Sequence, residues 1–147
     1  MPSKTTLVQN PADKETIMNL KDYFENTMGT GVLATADGDG RVDAAIYARP
    51  HILEDGGIAF IMLDRLTHKN LETNPYATFL FMENGEGYRG LRLFLKKLRE
   101  ETDAERIASL SRRCPGYGEA RGAKFLVVFK LEKILNLIGP DKPDIRA

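Results

Sequence analysis

The 147-residue sequence predicts one mainly β domain carrying short helices on its flanks. Three observations lead there. Apolar runs at 58–63, 78–82 and 125–131 have strand length and are rich in β-branched and aromatic residues. Turn clusters such as Asp37-Gly38-Asp39-Gly40 and Glu54-Asp55-Gly56-Gly57 separate apolar segments. Clear helical spacing is confined to a few short stretches between them.

Taken in order, residues 1–12 hold Pro2 and Pro11 with little periodicity and are expected to form an extended arm. Ile17, Leu20, Phe24 and Met28 then recur at helical spacing, which predicts a helix over 14–28. Asp13 is its expected N-cap and Gly29 its C-cap. Val32-Leu33-Ala34-Thr35, the Asp-Gly turn and residues 42–47 predict a hairpin. The run 58–63 follows as a buried strand. Thr67 to Thr73 reads as a short helix that Pro75 stops, because the residue before proline is pushed out of helical space. Residues 78–82 form another strand. Residues 91–99 satisfy both periods, with Leu91, Leu93 and Leu95 alternating while Leu91, Phe94, Leu95 and Leu98 fit a helix. Thr102 is the expected N-cap of a helix that buries Ile107 and Leu110 and ends near Cys114-Pro115. Gly116, Gly118 and Gly122 mark a loop, residues 125–131 a last strand, and residues 139–147 are expected to fray. No repeat or linker divides the chain, so residues 1–147 read as a single domain.

Composition narrows the function. Lys and Arg number 21, as do Asp and Glu, so the basic excess of a general nucleic-acid binder is missing. No apolar run approaches the ~20 residues that cross a bilayer, and the polar start lacks a secretory h-region. The single cysteine excludes an internal disulfide framework and any multi-cysteine metal site. A soluble cytoplasmic domain is expected, with Cys114 in a packing or loop role and no part in catalysis.

Two glycine patterns bear on dinucleotide binding. Gly29-x-Gly31-x-x-Ala34 follows a helix and opens a strand, the reverse of the order a phosphate cradle needs. Gly85-x-Gly87-x-x-Gly90 follows a strand, but no acidic strand end comes ~20 residues later, and a glycine-rich hairpin is the simpler reading. Asp37, Asp39 and Asp43 do not make a calcium loop, since the sixth position is Val42 and the twelfth is Ala48. The segment Asp64-Arg65-Leu66-Thr67-His68-Lys69-Asn70 stands out. It joins a buried strand to a helix, so unpaired N–H groups meet a hydroxyl, a histidine and two cations. That is chemistry for a phosphate, set against the plainer reading of a cap and a solvated turn.

Together these pieces resemble the pyridoxamine 5′-phosphate oxidase-like family of FMN-binding split barrels. The resemblance lies in GVLATADGDGRVDAA, GIAFIML, THKNLETNPYATFLF and YRGLRLFLKKLREE, in that order, over residues 31–101. The third piece is the most telling, with Thr67, His68 and Lys69 before a helix that ends at Asn74-Pro75. The resemblance implies a six-stranded antiparallel split β-barrel with flanking helices, and it makes 91–99 a barrel strand. It further implies a homodimer holding FMN in the groove between subunits. The phosphate would fall to Thr67, His68 and Lys69, and the flavin ring to Tyr47, Ala48 and Arg49 with Ile61, Met62 and Leu63. Arg89 would reach across from the partner. The oxidase's R-x-V-L-L-K strand has Ile46-Tyr47-Ala48-Arg49-Pro50-His51 as its corresponding region, a departure in which only Arg49 and His51 could substitute for the basic residues. Its C-terminal substrate-phosphate segment has no counterpart in LNLIGPDKPDIRA, which points away from pyridoxamine phosphate as the substrate.

Related branches bind haem, where His51 or His68 would be the ligand, or the deazaflavin F420. The expected function is thus an FMN-dependent oxidoreductase of a small molecule, with Tyr47, His51 and Tyr88 as unranked proton donors. The alternatives are a non-catalytic flavin- or haem-binding module and a purely structural barrel dimer.

Overall fold

The computed structural model describes residues 18–111 and 125–146. The chain opens with β1 (Met18–Asn19), α1 (Leu20–Asn26), β2 (Gly29–Ala36) and β3 (Val42–Tyr47). Next come β4 (His51–Ile52), β5 (Ile58–Met62), α2 (Leu66–Thr73) and β6 (Tyr76–Glu83). It continues through β7 (Gly90–Glu101), α3 (Ala104–Ser111), β8 (Phe125–Asn136) and β9 (Ile145–Arg146). Seven strands form one sheet in the order β3-β2-β6-β7-β8-β5-β4, every neighbouring pair antiparallel. The sheet curls into a half-barrel. Although β3 and β5 are far apart in that order, the Tyr47 and Phe60 rings meet edge to face with centroids 6.0 Å apart.

Alternation along the strands decides what faces inward. Leu33, Phe79, Phe81, Leu91, Leu93, Leu95 and Phe129 fill the concave side and are buried. Phe60 packs on Phe79 at 5.0 Å and on Phe129 at 5.9 Å between centroids. Helix α1 closes one end, its Tyr23 and Phe24 packing edge to face against Phe81. A second cluster of Ala59, Leu126 and Val128 lies on the opposite face of β5 and β8, covered by Ile107 and Leu110 of α3. Covering both faces explains why these two strands read as continuous apolar runs.

Several sequence expectations are met. The 29–47 hairpin forms, the ambiguous 91–99 stretch is the strand β7, and Gly85, Gly87 and Gly90 serve the β6–β7 hairpin with φ of 111°, 79° and 154°. Others need correction. Among the described residues the first helix is α1 alone, capped by Asn19, whose side chain accepts from the Asp22 N–H at 2.8 Å. Its C-cap is Thr27, and Gly29 instead opens β2. Seven strands replace the expected six, because His51–Ile52 adds a short edge strand beside β5. The α3 cap is Asp103 and not Thr102, with its carboxylate accepting from the Glu105 N–H at 3.0 Å. The tail expected to fray is docked. Ile145 pairs with Met18 in parallel and packs on the core, while Arg92 donates to the carbonyls of Asn136 and Gly139. The proposed arm at 1–12, residues 14–17, Cys114 and the glycines at 116, 118 and 122 lie outside the described residues.

Gly31 shows how tightly the curl is drawn. A Cβ there would stand 2.6 Å from Phe79 Cε1 and 2.7 Å from the Tyr47 carbonyl oxygen. Overpacking of this kind costs about 1–3 kcal/mol. Gly31→Ala is therefore expected to lower the urea midpoint by that amount of stability, measured by equilibrium unfolding.

Candidate anion site at the first turn of helix α2

Strand β5 ends at Met62, and α2 begins after three intervening residues. Arg65 occupies the N-cap position with extended backbone, but its side chain caps nothing. The Lys69 N–H donates to the Arg65 carbonyl at 3.0 Å, so the N–H groups of Leu66, Thr67 and His68 precede the first intrahelical bond. No acidic side chain sits in that turn itself, although Asp64 stands one residue before its N-cap. The helix is fixed by polar contacts with β2 and its turn. Asn70 Nδ2 donates to Thr35 Oγ1 at 3.0 Å within the core, and the Gly38 N–H donates to Thr73 Oγ1 at 3.0 Å.

The curl brings Tyr47 to this turn. The Thr67 side chain and the charges of Arg65 and Asp43 act on its hydroxyl. Burial raises the Tyr47 pKa above the ordinary tyrosine value, with the Thr67 side chain and Arg65 pulling the other way. Thr67 is buried, whereas Arg65 and Lys69 are exposed. Tyr47 thus faces Thr67 and Arg65, while Lys69 follows on the exposed side of the same helix.

His68 is placed differently from its two neighbours. Its side chain is 3% exposed and stacks on Phe125, centroids 3.8 Å apart and planes 11° off parallel. Nε2 meets the Glu100 carboxylate at 3.0 and 3.2 Å. Nδ1 makes no hydrogen bond, although Asp64 Oδ1 at 3.4 Å and Glu72 Oε2 at 3.9 Å lie within ion-pair range. Glu100 also accepts from Lys97 Nζ at 2.8 Å. Burial pushes the Glu100 carboxyl upward, but the Lys97 and His68 contacts outweigh it and hold the group below the usual glutamate range.

The remaining sequence candidates lie elsewhere. Arg49 Nη1 donates to the carbonyls of Phe24 at 2.7 Å and Thr27 at 3.0 Å, closing the C-terminal end of α1. Arg49 and His51 line a cavity of about 880 Å³ between α1, the β4 segment and α3, together with Lys21, Glu25 and Arg106. Ala48 is half-buried between the two regions. Met62 points into the main core and Ile61 toward the α3 cluster, so a ligand beside β5 and half-buried Leu63 would meet mostly backbone. Arg89 and Tyr88 are exposed in the β6–β7 hairpin, at the far end of β6 from α2. Sequence reasoning missed Glu100, Phe125, Asn70 and Thr35. Only the polar Thr35 inside an apolar run hinted at a buried partner.

A scan against protein-family models finds no match, and no curated protein matches either. Solved structures do match. An FMN-binding protein from Syntrophomonas wolfei subsp. wolfei is 20% identical with a TM-score of 0.69, covering 88% of this chain and 90% of its own. HupZ of Group A Streptococcus is 19% identical with a TM-score of 0.61, covering 84% and 95%. HutZ, the haem storage protein of Vibrio cholerae, is 18% identical with a TM-score of 0.58, covering 81% and 95%. The chain has the split-barrel fold of these proteins, the fold that its sequence resemblance implied.

Glu100 gives the site a measurable acid response. A carboxylate held low in the folded state adds stability above its unfolded pKa, and that stability is lost as pH falls through the folded value. Glu100→Gln is expected to cost roughly 1–2 kcal/mol at neutral pH. The gap to wild type should close on acidification below about pH 4, followed by thermal melts across pH.

Proposed function

We propose that this chain binds FMN by its phosphate at the first turn of α2, as a homodimer, and acts as an oxidoreductase of a small-molecule substrate. The observation that carries the reading is the first turn of α2, without a side-chain cap from Arg65 and flanked by Lys69, Arg65 and the hydroxyls of Thr67 and Tyr47. Three N–H groups without a partner among the described residues, two exposed cations and a hydroxyl suit a phosphate, which accepts hydrogen bonds and carries negative charge. β3 is an edge strand, and its last ladder pair is Gly31 with Tyr47. The backbone of Ala48 and Arg49 just beyond offers groups for the polar edge of a flavin. When bound, the flavin supplies the electron transfer. The chain's own part is to orient it, screen it from water on the barrel side, and hold a proton on Tyr47, whose raised pKa keeps the phenol protonated.

His68 is enclosed by Glu100 and Phe125 and acts behind the turn instead of touching the phosphate. The same enclosure weighs against it as a haem ligand. A haem reading would fall to His51 on the wall of the α1–α3 cavity. Absorbance of the purified protein separates these outcomes, since flavin gives two visible bands and haem a Soret band.

The convex face of the sheet favours pairing with a second copy. Ile46, Val32 and Leu80 lie in register across β3, β2 and β6, and Ala44, Ala34 and Thr78 form the next row. Ile46 is 70% and Val42 82% exposed, an unusual cost for a lone domain. A two-fold pair would cover this patch twice. It is also how Arg89 could reach the α2 turn, from the other subunit.

Two measurements follow. Sedimentation is expected to show a dimer at micromolar concentration, and Ile46→Asp with Leu80→Asp a monomer; a monomeric wild type would remove the shared groove. Lys69→Ala is expected to weaken FMN binding roughly ten- to hundredfold. Riboflavin, which lacks the phosphate, should hardly respond. Equal losses for both ligands, or none, would return the segment to a solvated turn.

A further inference from the structure

We propose that anion binding at the first turn of α2 is coupled to proton uptake by His68, making His68 a positioning residue for that site. The inference rests on the phosphate reading above and adds to it a role for a side chain that cannot itself reach solvent. His68 is the third residue of α2, so its N–H is one of the three free donors while its ring points inward.

The groups facing that ring come from every element packed on it. Asp64 approaches from the β5–α2 loop at 3.4 Å, Glu72 from the next turn of α2 at 3.9 Å, and Glu100 from β7 at 3.0 Å. Lys97 of β7 reaches Glu100, and β8 contributes the uncharged Phe125 ring. Among the described residues, three carboxylates face the imidazole and one ammonium stands behind Glu100. A neutral ring that donates its Nε2–H to Glu100 leaves the Nδ1 lone pair facing Asp64 and Glu72, with no donor for it. Protonation turns Nδ1 into a donor aimed at those carboxylates and adds one positive charge behind the turn.

The same charge affects an incoming anion. With the ring neutral, a phosphate approaching the turn meets the Asp64 carboxylate just before it, with no buried cation behind. With the ring charged, the local balance shifts by one unit in the anion's favour. Linkage makes the effect reciprocal: a proton that strengthens anion binding is itself bound more strongly once the anion is present.

The test titrates FMN and riboflavin into wild type, His68→Gln and Asp64→Asn between about pH 8 and pH 6. The phosphate's own second ionisation near pH ~6 is common to all three proteins and cancels in ratios. The FMN affinity of wild type relative to His68→Gln is expected to rise roughly three- to tenfold as pH falls. Riboflavin should show no such rise. Calorimetry in buffers of different ionisation enthalpy should register proton uptake by wild type beyond that seen with His68→Gln. Asp64 is 67% exposed, so Asp64→Asn should fold normally and give a shallower pH profile. A flat ratio with FMN still preferred over riboflavin overturns the coupling and leaves the phosphate site standing. Should His68→Gln fail to fold, an Asp64→Asn profile identical to wild type overturns it equally. FMN binding no better than riboflavin at every pH would sink the phosphate reading and this inference with it.

Discussion

The curl of the sheet around the Phe60, Phe79 and Phe129 rings is the constraint on which the remaining structure depends. It brings the end of β3 over β5, seating Tyr47 against Phe60 and its hydroxyl beside Thr67. Without the curl, β3 would be a solvated edge far from the α2 turn. Gly31 permits it, because the Phe79 ring and the Tyr47 carbonyl fill the space where a side chain would begin. The aromatic core thus fixes a polar site that none of its own atoms enters.

Helix α2 converts that arrangement into chemistry by being held at its far end and left open at its start. Asn70 and Thr73 tie it to β2 and the following turn, and Lys97 of β7 donates its N–H to the Pro75 carbonyl at 2.7 Å. The first turn keeps its free donors. A buried Asn–Thr hydrogen bond is modest in net stability, but leaving either partner alone in the core would be costly, so it favours one docking geometry. His68 adds a third tie through Glu100, and unlike the other two it can change charge.

The two faces of the sheet do different work. The concave face is aromatic and closed by α1, whereas the convex face carries exposed Ile46, Val42 and Leu80 beside small Ala34 and Ala44. Small residues keep that surface flat enough for another sheet to approach. Farther along, Lys133 lies over the Phe94 ring at 4.7 Å and Lys96 over Tyr76 at 5.6 Å, so the apolar patch grades into a charged border.

What the sequence determined by itself were the features written in local order. The Asp-Gly turn between two apolar runs set the β2–β3 hairpin, Pro75 ended α2, and Thr67 and Lys69 stood together at a strand-to-helix junction. Periodicity also marked the inward rows, though it could not separate strand from helix at 91–99, because Leu91 and Leu95 satisfy both spacings. Tertiary structure decided whatever depends on residues distant in the chain. Glu100, 32 positions from His68, turned that side chain inward, and the α1 carbonyls claimed Arg49, 22 to 25 positions away. The docking of Ile145 beside Met18 had no local signature at all. Charge and hydrogen bonding act through space, so a one-dimensional pattern shows which groups want partners, and only the folded chain shows which partners they receive.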